Sequence, residues 1–434
     1  MTAIDHNRDV ALRKLFGRRD LPPPRGITSV CSAHPLVIEA TLRQAAATPG
    51  AGAVLIEATC NQVNQEGGYT GMTPADFRRF IEGIAAGIGF PADRIILGGD
   101  HLGPNPWRRL PAEEAMTRAQ TMVAAFVEAG FEKIHLDTSM GCAGEPAALA
   151  DDLTAARAAR LAMAAEDAAQ RSGRPAPVYV IGTEVPPPGG ATHALDEIEI
   201  TRADAACKTL AVHRAAFSEA GVEQAMERVI AIVVQPGVEF GNANVAIYQP
   251  ERVASLTAAL DDMPELVFEA HSTDYQPADA LSALVDGGFA ILKVGPGLTF
   301  ALREAFYALE AIADALSGTP TEPGLRATLE AVMLDQPSHW AGHYGGGAGE
   351  ERLQRHFSYS DRIRYYWPDP RVAAALEALF ERLPRDIPET LISQHLGRIY
   401  PHVVARRVAP EARALCLAAI DDALAPYCAA TAVR

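Results

Sequence analysis

Eight short apolar runs cross the first three hundred residues, and nearly every one ends in a cluster of polar, chemically useful side chains. In order they are GITSVCSAH (26–34), AVLIEATCN (53–61), IILGGDH (95–101), KIHLDTS (133–139), VYVIGTEV (178–185), VIAIVVQPG (229–237), LVFEAHST (266–273) and AILKVGPG (290–297). A strand covered on both faces shows a continuous apolar run rather than alternation. The Ala-, Leu-, Glu- and Arg-rich stretches between the runs predict helices over 35–47, 74–86, 112–129, 147–170, 201–220, 250–260, 277–286 and 299–316. Thr73 supplies a hydroxyl N-cap ahead of Pro74 at the first helical position, and Leu110-Pro111 marks a second helix start. Eight strands with helical crossovers predict an α/β fold, a (β/α)8 TIM barrel over residues 26–317 preceded by an N-terminal segment, 1–25. From 318 to 434 strand periodicity fades and helical patterns appear at 324–334, 371–382 and 410–424. This part is expected to be a mainly helical C-terminal extension packed on the barrel.

Bulk properties narrow the picture. The 434 residues exceed the roughly 250 of a typical barrel, which is what calls for the extension. A net charge of -16 and a pI near 5.2 exclude the basic face of a nucleic-acid binder. No run approaches 18 consecutive apolar residues, so no membrane partner is expected. The charged N-terminus lacks the apolar core of a secretory signal, which predicts a cytoplasmic protein. The six cysteines are scattered without paired short spacing, and Cys31 and Cys60 read as packing residues near strand ends.

A TIM barrel carries its active site at the C-terminal ends of its strands. Ser32, His34, Asn61, Asp100, His101, Asp137, Glu184, Gln235 and His271 fall there. His101, Glu184 and His271 end strands 3, 5 and 7, and alternate strands converge on one axial point. Neutral nitrogens with a carboxylate suit a divalent metal, Zn, Mn or Co, with positions open to substrate. Gln235 adds a weak fourth contact. A single strand histidine is ordinarily a hydrogen-bonded core residue; the conjunction of three outweighs that reading. His135 lies inside strand 4, and the pleat leaves its side open. Asp100 is either a base toward a substrate hydroxyl or an orienter of the neighbouring ligand; Glu184 is the other catalytic candidate. Ser32, His34, Asn61, Asp137, Ser139 and Asp274 are candidate substrate contacts, with Asp137 and Ser139 reading equally well as loop caps.

Lys293, Gly295 and Gly297 end strand 8 and run into a helix, a place where barrels bind phosphate; a glycine pair alone could equally be a tight turn. Arg362 and Arg364 of the extension could reach a substrate phosphate, but read more readily as ordinary surface or interface arginines. A Schiff base would need Lys293, because Lys133 lies at the wrong end of its strand, and that route is disfavoured. Neither G-x-G-x-x-G nor G-x-x-x-x-G-K-[ST] occurs, so no nucleotide cofactor is expected and a sugar-phosphate kinase is poorly supported.

The motifs VCSAHP, IEATCNQVNQEGGYTGMTPADFR, ILGGDHLGPNPW, KIHLDTSM, IGTEVPPPGGA, VVQPGVEF, EAHSTDYQ, LKVGPGLTFALREA, VMLDQPSHW, YSDRIRYYWPD and LISQHL span residues 26–400. On them the chain resembles the GatZ/KbaZ-type family of D-tagatose-1,6-bisphosphate aldolase subunits. More distantly, Asp100-His101, Glu184 with Gly189-Gly190, and His271 are similar to the acid/base, ligand and glycine motifs of class II metal-dependent aldolases. The strand 6 histidine ligand of that group has no counterpart, and Gln235 stands in its place.

Two roles are implied by the resemblance. One is a metal-dependent enzyme of tagatose and galactitol catabolism that breaks and remakes the C3–C4 bond of a ketose phosphate, a D-tagatose 6-phosphate 4-epimerase yielding D-fructose 6-phosphate. The other is a non-catalytic, stabilising subunit of a class II D-tagatose-1,6-bisphosphate aldolase partner. The C4 proton of a 2-ketose is not adjacent to the carbonyl, so inversion needs transient oxidation or retro-aldol cleavage, and the missing dinucleotide motif disfavours oxidation. A homo-oligomeric assembly is also expected.

Overall fold

The computed structural model describes residues 26–48, 52–183, 198–320 and 322–432. Eight parallel strands close a barrel: β1 (Ile27–Val30), β2 (Val54–Thr59), β3 (Ile95–Leu102), β4 (Lys133–Leu136), β5 (Val178–Ile181), β6 (Val229–Val234), β7 (Val267–Ala270) and β8 (Ile291–Val294). Neighbours pair in sequence order, and the seam is sealed by β1 against β8 from Ile27↔Ile291 to Val30↔Val294.

The strand period of two divides these apolar runs into two separate cores. Outward residues such as Ile56, Leu97, Ile134, Tyr179, Phe268 and Leu292 pack under the surrounding helices. Inward residues Ile27, Leu55, Ile96, Val178, Val180, Val233, Val267 and Ile291 form a plug inside the barrel. The plug occupies the lower barrel, so the inward positions above it are free to carry charge.

The helices α1 (Pro35–Ala47), α2 (Pro74–Ile88), α3 (Ala112–Glu128), α4 (Asp151–Ser172) and α5 (Ala203–Glu219) alternate with the first strands. Thr73 caps α2 in a capping box with Asp76, as the Thr-Pro signal predicts. The helix expected over 250–260 is reduced to one turn and a half, α6 (Ala254–Ala258), flanked by 3-10 turns. Its first turn, Pro250–Arg252, and its last, Ala259–Asp262, are wound as 3-10 helix, so only the middle is α-helical. The barrel ends with α7 (Ala278–Asp286) and α8 (Pro296–Ser317), the latter stopped by Gly318 in the left-handed conformation.

The extension is helical and returns to the barrel twice. Its C-terminal helix, Ala412–Thr431, is apolar and long enough to cross a bilayer by length and composition. Here it packs against α1, α7 and α8 instead, and the Tyr427 hydroxyl donates to the Thr273 carbonyl at 2.6 Å. The second return is the stretch from Ser358 to Tyr366. Ser358 and Ser360 donate to Asn242 Oδ1 at 3.0 and 2.8 Å, and Tyr275 donates to the Tyr359 carbonyl at 2.6 Å. Asp361, with φ of 43°, turns its carboxylate onto Thr299 Oγ1 at 2.6 Å and Arg303 Nε at 3.2 Å of α8. Arg303 is 1% exposed, and its guanidinium lies 4.1 Å from the Phe300 ring.

Removing one member of a buried ion pair strands the other in low dielectric, at a cost of about 3–5 kcal/mol. Arg303→Ala should therefore lower the thermal unfolding midpoint clearly. A variant that melts like the parent would show that the extension is held elsewhere.

Candidate active site

Along the axis above the apolar plug, alternate residues of the strands replace hydrocarbon with charge. Glu57 of β2 and Glu269 of β7 are fully buried and face each other across Lys133 of β4. Lys133 Nζ lies 2.6 Å from Glu57 Oε1 and 2.7 Å from Glu269 Oε2. Ser29 adds a hydrogen bond to Glu57 at 2.7 Å. Glu57 has room because Gly98 of β3 has no side chain; a Cβ there would sit 2.7 Å from Glu57 Cγ. Lys293 of β8 lies over this layer, 3.4 Å from Glu57, 3.5 Å from Glu269 and in direct contact with Asp100. Burial opposes the charge on both ammonium groups, but the surrounding carboxylates outweigh it and raise both pKa values.

One pleat higher stand the groups of the strand ends. The rings of His101, His135 and His271 form a triangle, with centroids 4.8, 5.1 and 5.2 Å apart. His135 therefore faces inward, which settles the side its sequence position left open. His101 Nδ1 is 2.7 Å from Asp137 Oδ2, and Ser139 Oγ donates to Asp137 Oδ1 at 2.9 Å. This relay fixes the His101 ring and leaves Nε2 toward Asp100, 3.8 Å away. His271 Nε2 is held by Glu269 at 2.9 Å. His135 Nδ1 is 3.0 Å from Asp100 Oδ1, whereas its buried Nε2 has no hydrogen-bond partner.

The electrostatics separate the three imidazoles. Burial and the nearby Lys293 push His271 down to about 3, so it is neutral at neutral pH. His101 is also penalised by burial, but Asp100 and Asp137 prevail and raise its pKa. Asp100 is held well below the usual carboxylate range, where His101 and Lys293 overcome the burial penalty.

This set of side chains fits a divalent cation. Asp100, His135, Glu269 and His271 each bring a donor atom to within 4.8 Å of the others. Three buried carboxylates, Glu57, Asp100 and Glu269, share two buried lysines, Lys133 and Lys293, and a fourth, Asp137, pairs with His101. The orphaned His135 nitrogen lies in the same cluster. The cluster can hold a metal ion.

The expected site residues are distributed as follows. Asn61, Asp100, His101, His271, Asp274, Lys293 and Gly295 line one cleft at the barrel mouth. Asp137 and Ser139 lie behind His101 as its orienting pair. Ser32 and His34 turn away: Ser32 Oγ accepts from the His34 amide at 3.2 Å, and His34 Nδ1 accepts from Leu36 at 3.2 Å, capping α1. Both border a side pocket rather than the axial cleft. Gln235 is drawn into its own loop, where Oε1 accepts from the amides of Gly237 and Val238 at 2.8 and 3.0 Å. The amides of Gly295 and Gly297, expected to cradle phosphate, both donate to Asp274 Oδ1, at 2.9 and 2.7 Å. Lys293, expected with them, points instead into the charged layer. Glu184 lies outside the described residues.

Sequence reasoning missed Glu57, Glu269 and Lys133, although each is a charge set in or at the edge of an apolar run. It also favoured a surface or interface place for Arg362 and Arg364 over a contact with substrate phosphate. Arg362 is buried, and Arg364 is half-buried and lines the cleft together with Tyr365.

Comparison with known proteins agrees with this architecture. The family model of the D-tagatose-1,6-bisphosphate aldolase subunit GatZ/KbaZ-like proteins matches residues 12–432. A protein of Agrobacterium fabrum named D-tagatose 6-phosphate 4-epimerase is 56% identical over 432 residues, covering 99% of either chain. A crystal structure from Sinorhizobium meliloti, described as a probable tagatose 6 phosphate kinase, is 58% identical with a TM-score of 0.86. It covers 94% of this chain and 100% of its own. With a match across nearly its whole length, the chain belongs to the GatZ/KbaZ-like family of D-tagatose-1,6-bisphosphate aldolase subunits.

Proposed function

We propose that this protein is a metal-dependent D-tagatose 6-phosphate 4-epimerase that forms D-fructose 6-phosphate by breaking and remaking the C3–C4 bond. The observation that carries the reading is the pairing of an ionised Asp100 with a triangle of imidazoles at the mouth of the barrel. The 56% identical relative named for this activity supports it.

We assign a zinc, manganese or cobalt ion to His271, which belongs both to the expected ligand set with His101 and Glu184 and to the buried cluster with Asp100, His135 and Glu269. His135 is better placed than Gln235 for a further contact. Such an ion would polarise the substrate carbonyl and stabilise negative charge developing beside it.

The protein's own groups carry the protons. Asp100 accepts the proton of the C4 hydroxyl as the C3–C4 bond breaks. The electron pair of that bond moves onto C3 and is delocalised into the C2 carbonyl as an enediolate, leaving C4 as an aldehyde. After the aldehyde turns over, the enediolate attacks its opposite face, the bond re-forms, and Asp100 returns the proton. Lys293, in contact with Asp100, keeps the carboxylate ionised between turnovers. The Asp137–Ser139 pair holds the His101 ring in one orientation, and Asn61 and Asp274 at the rim are candidate contacts for substrate hydroxyls.

The family description favours a second reading, a non-catalytic subunit that stabilises a separate class II aldolase. The purified chain, supplied with a divalent metal, should convert tagatose 6-phosphate to fructose 6-phosphate in a coupled assay. No turnover alone, combined with activation of a co-purified aldolase, would establish the subunit role instead.

His271→Ala should reduce bound metal in elemental analysis and lower turnover by at least 100-fold with the barrel still folded. Unchanged metal content would remove His271 from the ligand set. Asp100→Asn should lower turnover by a factor of roughly 100 to 10,000, the usual span for a general base. An Asn variant with near-parental kcat would transfer the base role to another group.

A further inference from the structure

A sugar phosphate brings a dianion to a chain of net charge -16, so it needs a cation that is not already neutralised. The barrel's own candidates are committed. Lys293 is shared among Asp100, Glu57 and Glu269, and the Gly295 and Gly297 amides are taken by Asp274. The extension supplies the missing charge. Arg364 borders both the axial cleft and the adjoining side pocket.

The bonding of Arg364 orients its guanidinium without neutralising it. Nη1 donates to the carbonyls of Ser360 and Asp361, the second at 3.0 Å, and Nη2 donates to the Tyr365 hydroxyl at 2.9 Å. Among the described residues no carboxylate lies within ion-pair distance of it. The Nε–H and one of the two Nη2 hydrogens have no partner among the described residues. Its plane is steadied by the Tyr365 ring, 4.5 Å from the guanidinium carbon. Tyr365 in turn meets Tyr69 edge-on at 4.7 Å and stacks on His339 at 4.8 Å. A fixed guanidinium with donors to spare on the rim of a cleft suits recognition of a phosphate ester.

We propose that Arg364 is the anchor for the terminal phosphate of the substrate, so that the extension completes an active site whose chemistry resides on the barrel. This assignment rests on the ketose-phosphate reading above. It places the phosphate at the rim and the carbons to be cleaved toward the imidazole triangle.

The test is binding of inorganic phosphate to the full-length protein, followed by calorimetry, alongside steady-state kinetics on tagatose 6-phosphate. Arg364→Ala should weaken phosphate binding roughly 10- to 100-fold, the range of a hydrogen bond to a charged group. The same variant should raise KM more than it lowers kcat, with unchanged metal content, and Arg364→Lys should recover part of the loss. Arg362→Ala removes the same charge from the neighbouring position, where Nε donates to the His339 carbonyl. It should leave phosphate affinity within about threefold of the parent. Absent phosphate binding in the parent, an unaffected Arg364→Ala, or equal losses at both positions would overturn the assignment. Because phosphate binding needs no turnover, failure of the epimerase reading would appear separately, as an inactive parent that still binds phosphate through Arg364.

Discussion

The structure depends on one interaction, the bridging of Glu57 and Glu269 by Lys133 across the interior of the barrel. These three residues belong to β2, β7 and β4, so the contact ties together strands far apart around the circumference. Each ion buried here forfeits several kcal/mol of hydration, and only close pairing returns it. The pairing is incomplete: with Asp100 included, three carboxylates meet two lysines. Such a deficit costs stability unless another cation shares it. Part of that charge is drawn from His101, whose pKa Asp100 and Asp137 raise. The liability of the fold and the chemistry of the site are thus the same charge imbalance.

Much of the architecture was legible in the sequence because both its periods were strong. Continuous apolar runs gave the strands, and the proline and hydroxyl signals gave helix starts such as Thr73-Pro74. The region 250–260 misled, since its Ala and Leu content suits one α-helix, whereas it winds as 3-10 turns on either side of a short α-helical piece. In the site, Asp100, His101 and His271 were readable from their place at strand ends. Glu57, Glu269 and Lys133 were not, because a run with a single charge still scores as apolar, and only the pleat reveals which way that charge points. Lys133 is instructive. It opens β4, yet the stagger of the strands in a closed barrel lifts it level with Glu57 and Glu269.

The strand ends also hold geometry that composition cannot express. His101 and Ser272 have φ of 50° and 53°, left-handed values that side chains other than glycine adopt at a cost of about 1–3 kcal/mol. Both occur where a strand passes into its functional loop. The bend at His101 is fixed by its amide, which reaches His135 Nδ1 at 3.2 Å, and by Asp137 on its ring. Gly103, two residues on, lies so close to the Asp137 carbonyl that a Cβ would fall 1.6 Å from the oxygen. The conformation is therefore imposed by contacts with β4, and His101 and Asp137 are positioned as one unit.

The extension belongs to the same unit. It grips the loop after β7 from two directions, through Tyr427 on Thr273 and through the Tyr359 carbonyl on Tyr275, a residue whose own φ is 64°. Those contacts bracket Asp274, the carboxylate that occupies the amides of Gly295 and Gly297 and that burial pushes up to about 6. A barrel without the extension would keep the three histidines but lose the restraints on the loop that follows His271. It would also lose the cover that Arg364 and Tyr365 place over the cleft. The extra residues beyond an ordinary barrel therefore act on the mouth of the site, where the ends of the strands alone supply carboxylates and imidazoles but no unneutralised permanent cation among the described residues.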